Sequence, residues 1–279
     1  MDIFSEIKPL RAFLDTKRDL HLSIGLVPTM GALHRGHLEL IRVSAQENDI
    51  TVCSIYVNPT QFNNPSDLAK YPRTFEEDKE MLLSAGCNVI FAPLNTEMYK
   101  MPSNLRFDFG HLDKILEGEF RPGHFSGVAL VVSKLFNIVK PTKAYFGQKD
   151  FQQYKVISKL AEELLFDISL SSVPIVREES GLAMSSRNTR LSESEKQDAT
   201  VFYESLLLAK QLLLSGESIE AVKIKAKQKC EAIPSVRLEY LELADTEKLK
   251  PTQLVSGNAI LLIAGYVGEV RLIDNLLIG

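Results

Sequence analysis

Two hydrophobic periods alternate along this chain, and the points where one gives way to the other mark its elements. Ile24–Thr29 is a short apolar run, and residues 52–57 form a second, rich in β-branched side chains. Between them Leu38, Ile41 and Ala45 recur at helical spacing, with Glu39, Arg42 and Gln46 among the polar positions. Strand, helix, strand over that length predicts a crossover unit whose two strands run parallel. The pattern then repeats. Thr74, followed three residues later by Glu77, has the form of a capping box, opening a helix that Gly86 closes. Residues 88–92 read as the next strand, 127–139 as a largely buried helix and 144–146 as a short strand. A helix over 150–165 and a strand over 168–173 complete the alternation. The whole predicts an α/β fold with a Rossmann-like, doubly wound parallel sheet, which takes ligands beyond the carboxyl ends of its strands.

The character changes after about residue 175. A polar stretch, 177–190, leads to a helix announced by a second capping box, Ser192 with Glu195. A further helix over 219–232 carries the charge run KIKAKQK, and alternating segments at 236–243, 259–263 and 269–273 read as strands. The predicted organisation is a Rossmann-like domain over residues 1–175 and a smaller C-terminal α+β domain over 176–279. Segment 177–190 is a reasonable hinge or lid. KIKAKQK reads as a solvated helix face in preference to a nucleic-acid patch.

Composition narrows the field without naming a function. The chain has 279 residues, 45% hydrophobic and 24% charged, the mixture of a globular protein with a real core. Thirty-two basic residues against thirty-six acidic ones give a net charge of −4, which argues against nucleic acid as a partner. A local basic pocket for an anionic ligand remains open. Cys53, Cys87 and Cys230 are far apart in sequence and form no CxxC pair, so they read as reduced thiols. No basic stretch followed by an apolar core opens the sequence, and the longest apolar run, Ala259–Val267, is about half a membrane span. The expectation is a cytoplasmic protein with no membrane partner.

The segment PTMGALHRGH, residues 28–37, directly follows a predicted strand and opens a predicted helix. Gly31 and Gly36 let backbone and ligand approach closely. His37 falls at a helix N-terminus, where the dipole and free N–H groups favour an anion. A neutral ring there can donate one N–H to a phosphate oxygen, and His34 can point at the same polyphosphate. A plain strand-to-helix turn with two surface histidines is equally consistent with the spacing. A metal site lacks a third nearby ligand in sequence.

The HxGH pattern after a strand resembles the nucleotidyltransferase superfamily that includes class I aminoacyl-tRNA synthetases. The longer string resembles the pantothenate synthetase family. The match continues through SIYVNPTQF (54–62), YPRTFEEDKEMLLSAG (71–86), EGEFRPGHFSGV (117–128), FGQKDFQQ (146–153) and GLAMSSRNTRLS (181–192), in family order. Three positions depart from the family pattern: Thr60 for the more usual Leu, Gln148 for Glu, and Ser180 for Asp.

The resemblance implies an AMP-forming ligation. The carboxylate of (R)-pantoate attacks the α-phosphorus of ATP to give pantoyl adenylate, and β-alanine then displaces AMP. It assigns ATP and pantoate to residues 1–175, with 176–279 acting as a lid. The implied ATP contacts are Met30, Gly31, Ala32, Leu33, His34, Arg35, Gly36 and His37, then Gly147, Gln148, Lys149 and Asp150. Val176 contributes its backbone, and Met184, Ser185, Ser186 and Arg187 form a clamp on leaving pyrophosphate. His34, His37, Lys149 and Arg187 are the implied catalytic set, with Lys149 the countercharge to the α-phosphate. Asp150 would touch a ribose hydroxyl or Mg²⁺. Gln61 is carried over as a contact for both pantoate and β-alanine, and Gln153 as a pantoate contact. Mg²⁺ is expected with ATP; its ligands stay unknown, because Glu76, Glu77 and Asp78 suit a helix's first turn better. His124 is left without a role. A homodimer is expected from the resemblance alone.

Overall fold

The computed structural model of the chain describes residues 1–253 and 257–278. Six strands form one sheet: β1 (Asp2–Phe4), β2 (Ile24–Thr29), β3 (Ile50–Ile55), β4 (Val89–Phe91), β5 (Lys143–Gly147) and β6 (Ser169–Val173). Their order is β1-β4-β3-β2-β5-β6, and each neighbouring pair runs parallel. The predicted first crossover is present, with Ile24 opposite Ile50 through to Thr29 opposite Ile55. Strand order proceeds outward from β2 to β3 and β4, then returns to β5 on the other side of β2. The carboxyl ends of β2 and β5 are therefore neighbours where the order reverses, the place at which such sheets bind ligands.

Burial explains the alternation. Val27, Cys53, Ile90 and Tyr145 from four strands pack with Leu38 and Ile41 of the helix Arg35–Glu47 and with Leu82 of the helix Phe75–Ser84. The helix His124–Val139 is buried along most of its length, as its near-continuous apolar sequence predicts. β1 and the helix Ile7–Asp19 lie ahead of the first patterned segment and add a strand at the sheet edge beside β4. A three-residue strand is too short to show a period.

One predicted cap differs. Thr74 precedes the helix Phe75–Ser84, but its side chain makes no cap hydrogen bond. Its hydroxyl instead donates to Asp78 Oδ1 at 3.3 Å, drawn by a buried carboxylate one turn on. The second predicted capping box, Ser192 with Glu195, forms as expected.

By contacts, the chain divides into two compact units. One comprises Met1–Gln148 and Gln152–Pro174, the other Lys149–Phe151 and Ile175–Gly279. In the second, β7 (Val236–Asp245), β8 (Ala259–Val267) and β9 (Val270–Ile278) form an antiparallel sheet in sequence order. Leu206 and Ala209 of the helix Glu193–Leu214 and Val222 and Cys230 of the helix Ile219–Glu231 pack on Leu241, Leu261 and Ile263 of that sheet. This is the expected α+β architecture. All four lysines of KIKAKQK are paired: Lys223 with Glu242, Lys225 with Glu217, Lys227 with Glu231 and Lys229 with Glu204. Among the described residues no helix is long and apolar enough to cross a membrane. The three cysteines are free and buried; burial pushes the Cys87 thiol up to about 11 and raises Cys53 and Cys230 as well.

Candidate active site

Residues 30–37 leave the end of β2 through a left-handed turn. Gly31 has φ +78° and Ala32 φ +50°, a conformation that costs a non-glycine residue about 1–2 kcal/mol. What holds it is Asp78. Its Oδ2 accepts the Ala32 N–H at 3.0 Å and its Oδ1 the Leu33 N–H at 2.8 Å. Hydrogen bonds to a charged acceptor contribute roughly 1.5–3 kcal/mol each, so two of them outweigh the strain. Asp78 is only 1% exposed, and the N-terminal turn of its own helix supports the negative charge. A Cβ on Gly31 would lie 2.9 Å from Asp78 Oδ2, so the carboxylate's approach requires glycine there.

This arrangement alters how the loop can meet an anion. The amides of Ala32 and Leu33 are engaged by Asp78, and that of Gly36 donates to His34 Nδ1 at 3.1 Å. The His37 amide donates to the His34 carbonyl at 2.8 Å. With these four amides engaged, the segment does not offer them as an amide cradle of the glycine-rich-loop kind. His34 is the N-cap of the helix Arg35–Glu47. Because its Nδ1 accepts, the neutral ring carries its proton on Nε2, the nitrogen that can donate. The His37 ring lies beside it, centroids 4.0 Å apart.

Gln61 is brought to the same loop, its Nε2 3.2 Å from Met30 Sδ. It sits on the short helical turn Pro59–Gln61, seated against the start of the helix His124–Val139. A Cβ on Gly127 would fall 2.3 Å from the Thr60 carbonyl oxygen, so only glycine permits this approach. His124, 5% exposed, donates through Nδ1 to the Gln61 carbonyl at 2.8 Å, which fixes its tautomer. That is the function the sequence left open: His124 clamps the turn that carries Gln61. Gln153 lies half-buried on the first turn of the helix Phe151–Glu163. Its neighbour Gln152, 2% exposed, accepts the Glu117 N–H and donates to the Leu112 and Ile115 carbonyls, pinning the segment before that buried helix.

Gly147 ends β5, and Gln148, Lys149 and Asp150 form a helical turn. From Lys149 onward the implied nucleotide residues belong to the second unit. The carbonyl of Lys149 accepts the Asn275 side-chain amide at 2.9 Å, and Asn275 is 1% exposed on β9. Next to it Asp274 accepts both Arg177 amino groups, at 2.6 and 2.9 Å, while the Arg177 guanidinium lies 3.7 Å from the centre of the Tyr203 ring. Burial pushes the Asp274 carboxyl up, and the Arg177 charge opposes that shift. The Val176 carbonyl accepts the Met184 N–H at 3.0 Å, folding 176–184 back on itself. Ser185 caps the turn Ser186–Arg190 by accepting the Arg187 N–H at 3.2 Å, and buried Asn188 ties that turn to Glu178 and to the Ala183 carbonyl. Sequence reading missed Asn58, Asp274 and Asn275, short polar residues whose burial no local pattern reveals.

Among the described residues no group of three or more His, Cys, Asp or Glu side chains is placed to hold a metal ion. Asp78 binds backbone amides and Glu76 pairs with Lys79. Asp78 of the acidic run thus serves loop structure and Glu76 an ion pair within its helix.

A parallel sheet with HxGH at the reversal of strand order, in a chain whose second unit has an AMSSR turn, defines an α/β protein of the nucleotidyltransferase class. Within that class the chain belongs to the pantoate–β-alanine ligase family, whose model matches residues 2–277. It is 46% identical to a pantothenate synthetase of Aquifex aeolicus over 98% of this chain and 97% of that one. A pantothenate synthetase of Cytophaga hutchinsonii is 47% identical, covering 98% of each chain. The crystal structure of pantothenate synthetase from Thermus thermophilus superposes with a TM-score of 0.93 at 40% identity, over 100% of this chain and 99% of that one. The Francisella tularensis pantoate–β-alanine ligase, solved with a β,γ-ATP ligand and β-alanine, gives a TM-score of 0.82 at 35% identity over 99% and 97% of the two chains.

Replacing Asp78 by Ala leaves two buried amides without an acceptor beneath a left-handed turn. The expected cost is roughly 2–5 kcal/mol of unfolding free energy, read by urea denaturation. A loss below about 1 kcal/mol would contradict the clamp.

Proposed function

We propose that this chain ligates (R)-pantoate to β-alanine using ATP, through pantoyl adenylate, releasing pyrophosphate and AMP. The observation that carries this reading is the contact between the two predicted parts of the site. Gln61, the acid-substrate residue, reaches Met30 of the HxGH segment, where two histidine rings lie side by side. A carboxylate held by the Gln61 amide is thereby next to the segment that takes the phosphates.

In this reading His34 donates its Nε2–H to a phosphate oxygen, and His37, the residue nearest the family's proton-donor role, polarises the same group. Met30, Gly31, Ala32, Leu33, Arg35 and Gly36 shape the ATP site mainly by placing those rings. Lys149 offsets charge developing on the α-phosphate, with Gly147 and Gln148 leading to it and Asp150 placed for a ribose hydroxyl. Val176, Met184, Ser185, Ser186 and Arg187 hold the nucleotide and the leaving pyrophosphate, and the C-terminal unit acts as a lid. Gln61 and Gln153 hold pantoate, and Gln61 also meets β-alanine. Mg²⁺ enters on the polyphosphate oxygens, since Asp78 of the acidic run is engaged by backbone amides. A cytoplasmic homodimer completes the proposal, the location supported by three reduced, buried thiols.

Pantoate-dependent exchange of pyrophosphate into ATP tests the first half-reaction, and AMP release on adding β-alanine tests the second. A protein that keeps the nucleotide on its product would exchange without releasing AMP; a nucleotide sensor would bind ATP without exchange. Lys149→Ala is expected to slow exchange by about two to three orders of magnitude, as for loss of a transition-state donor. Near-wild-type exchange would remove Lys149 from that role. Gln61→Ala is expected to raise KM for pantoate far more than KM for ATP; equal losses would count against its assignment.

A further inference from the structure

Behind Gln61 stands a run of polar side chains to which the chemistry above gives no part. Tyr99 donates its hydroxyl to Asn58 Oδ1 at 2.9 Å, and Thr60 Oγ1 donates to the same oxygen at 3.1 Å. With its oxygen committed, the Asn58 amide directs Nδ2 to Gln61 Oε1 at 3.0 Å and to the Gly127 carbonyl at 3.2 Å. Asn58 is 1% exposed, so water cannot replace these partners cheaply. The consequence falls on Gln61. Its Oε1 accepts from Asn58, so its NH₂ faces the other way, towards Met30. An amide without such a neighbour could present either end to a ligand.

Tyr99 is itself held firmly. Its ring lies under the Lys134 ammonium, 4.4 Å from the ring centre, while Lys134 donates to the Met98 carbonyl at 2.7 Å. Burial raises the Tyr99 pKa above its ordinary value, so the hydroxyl remains a donor through the neutral range. Thr60, which departs from the family's more usual Leu, adds a second donor to an acceptor that Tyr99 already occupies.

We propose that Tyr99 and Thr60 are positioning residues for the acid substrate: by fixing the Asn58 amide they orient the Gln61 amide with its NH₂, not its oxygen, towards pantoate. The inference rests on the reading of Gln61 as a pantoate contact. Without the two donors, only the Gly127 carbonyl still holds the Asn58 amide, and a turned amide would set oxygen against oxygen at Gln61.

The test is steady-state kinetics on the full chain for Tyr99→Phe, Thr60→Val, Gln61→Ala and the Tyr99→Phe/Gln61→Ala double variant, with melting temperatures to confirm folding. Loss of one hydrogen bond in the relay is expected to raise KM for pantoate on the order of three- to tenfold in Tyr99→Phe, with KM for ATP within about twofold. In the Gln61→Ala background the same change should add less than about twofold, because the group being oriented is gone. If Gln61→Ala impairs pantoate while Tyr99→Phe and Thr60→Val do not, the relay is wrong and the site reading stands. If Gln61→Ala itself leaves pantoate unaffected, the site reading fails and the relay with it. Full additivity of Tyr99→Phe with Gln61→Ala, or equal losses for ATP and pantoate, overturns the relay as a merely structural effect.

Discussion

The Asp78 carboxylate accepts two successive amides from a loop that is left-handed at Gly31 and at Ala32, and the shape of the HxGH segment depends on that contact. Released from it, the turn has no reason to keep Ala32 in a strained region, and the helix Arg35–Glu47 would lose its defined entry from β2. His34 and His37 are placed by that entry, one as the N-cap and the other in the first turn. The same contact explains why the loop is not an amide cradle: its amides are needed for its own shape. In the proposed reaction, anion recognition passes to imidazole N–H groups, which are directional and can be positioned to favour charge as it develops.

A second buried carboxylate does comparable work in the C-terminal unit. Asp274 holds Arg177, and its neighbour Asn275 holds the Lys149 carbonyl, so strand β9 fixes both the start of the 177–190 segment and the backbone of the implied α-phosphate lysine. A buried ion pair adds little net stability, since desolvation offsets most of the attraction. Its value here is placement: two loops are registered to one strand. Each unit thus fixes a loop with a short acidic side chain rooted in regular structure.

How much of this was legible in the sequence follows from the range of each interaction. Alternating apolar periods recovered β2 to β6 and the two-helix, three-strand second unit, because burial of one face is written locally. The Ser192 capping box was legible for the same reason. The Thr74 box was not, because Asp78 competes for the hydroxyl and its own partners lie about 45 residues away in sequence. His124 and Asn275 were similarly opaque: each acts on a backbone carbonyl more than 60 positions distant. β1 was missed because three residues carry no period. Motif order identified the family, while the physical reason for several motif residues appeared only in the fold: Gly127 admits the Thr60 carbonyl, and Gly31 admits Asp78.

The central claim is that ATP phosphates are met by the His34 and His37 side chains on a loop that Asp78 has already shaped. Histidine side-chain ¹⁵N NMR tests it directly, with each resonance assigned by single His→Gln variants. The account predicts that His34 is in the Nε2-protonated tautomer in the free protein. It also predicts that both rings shift on saturation with ATP and not with pantoate alone. A His34 ring protonated on Nδ1, or histidine resonances unmoved by saturating ATP, would contradict it.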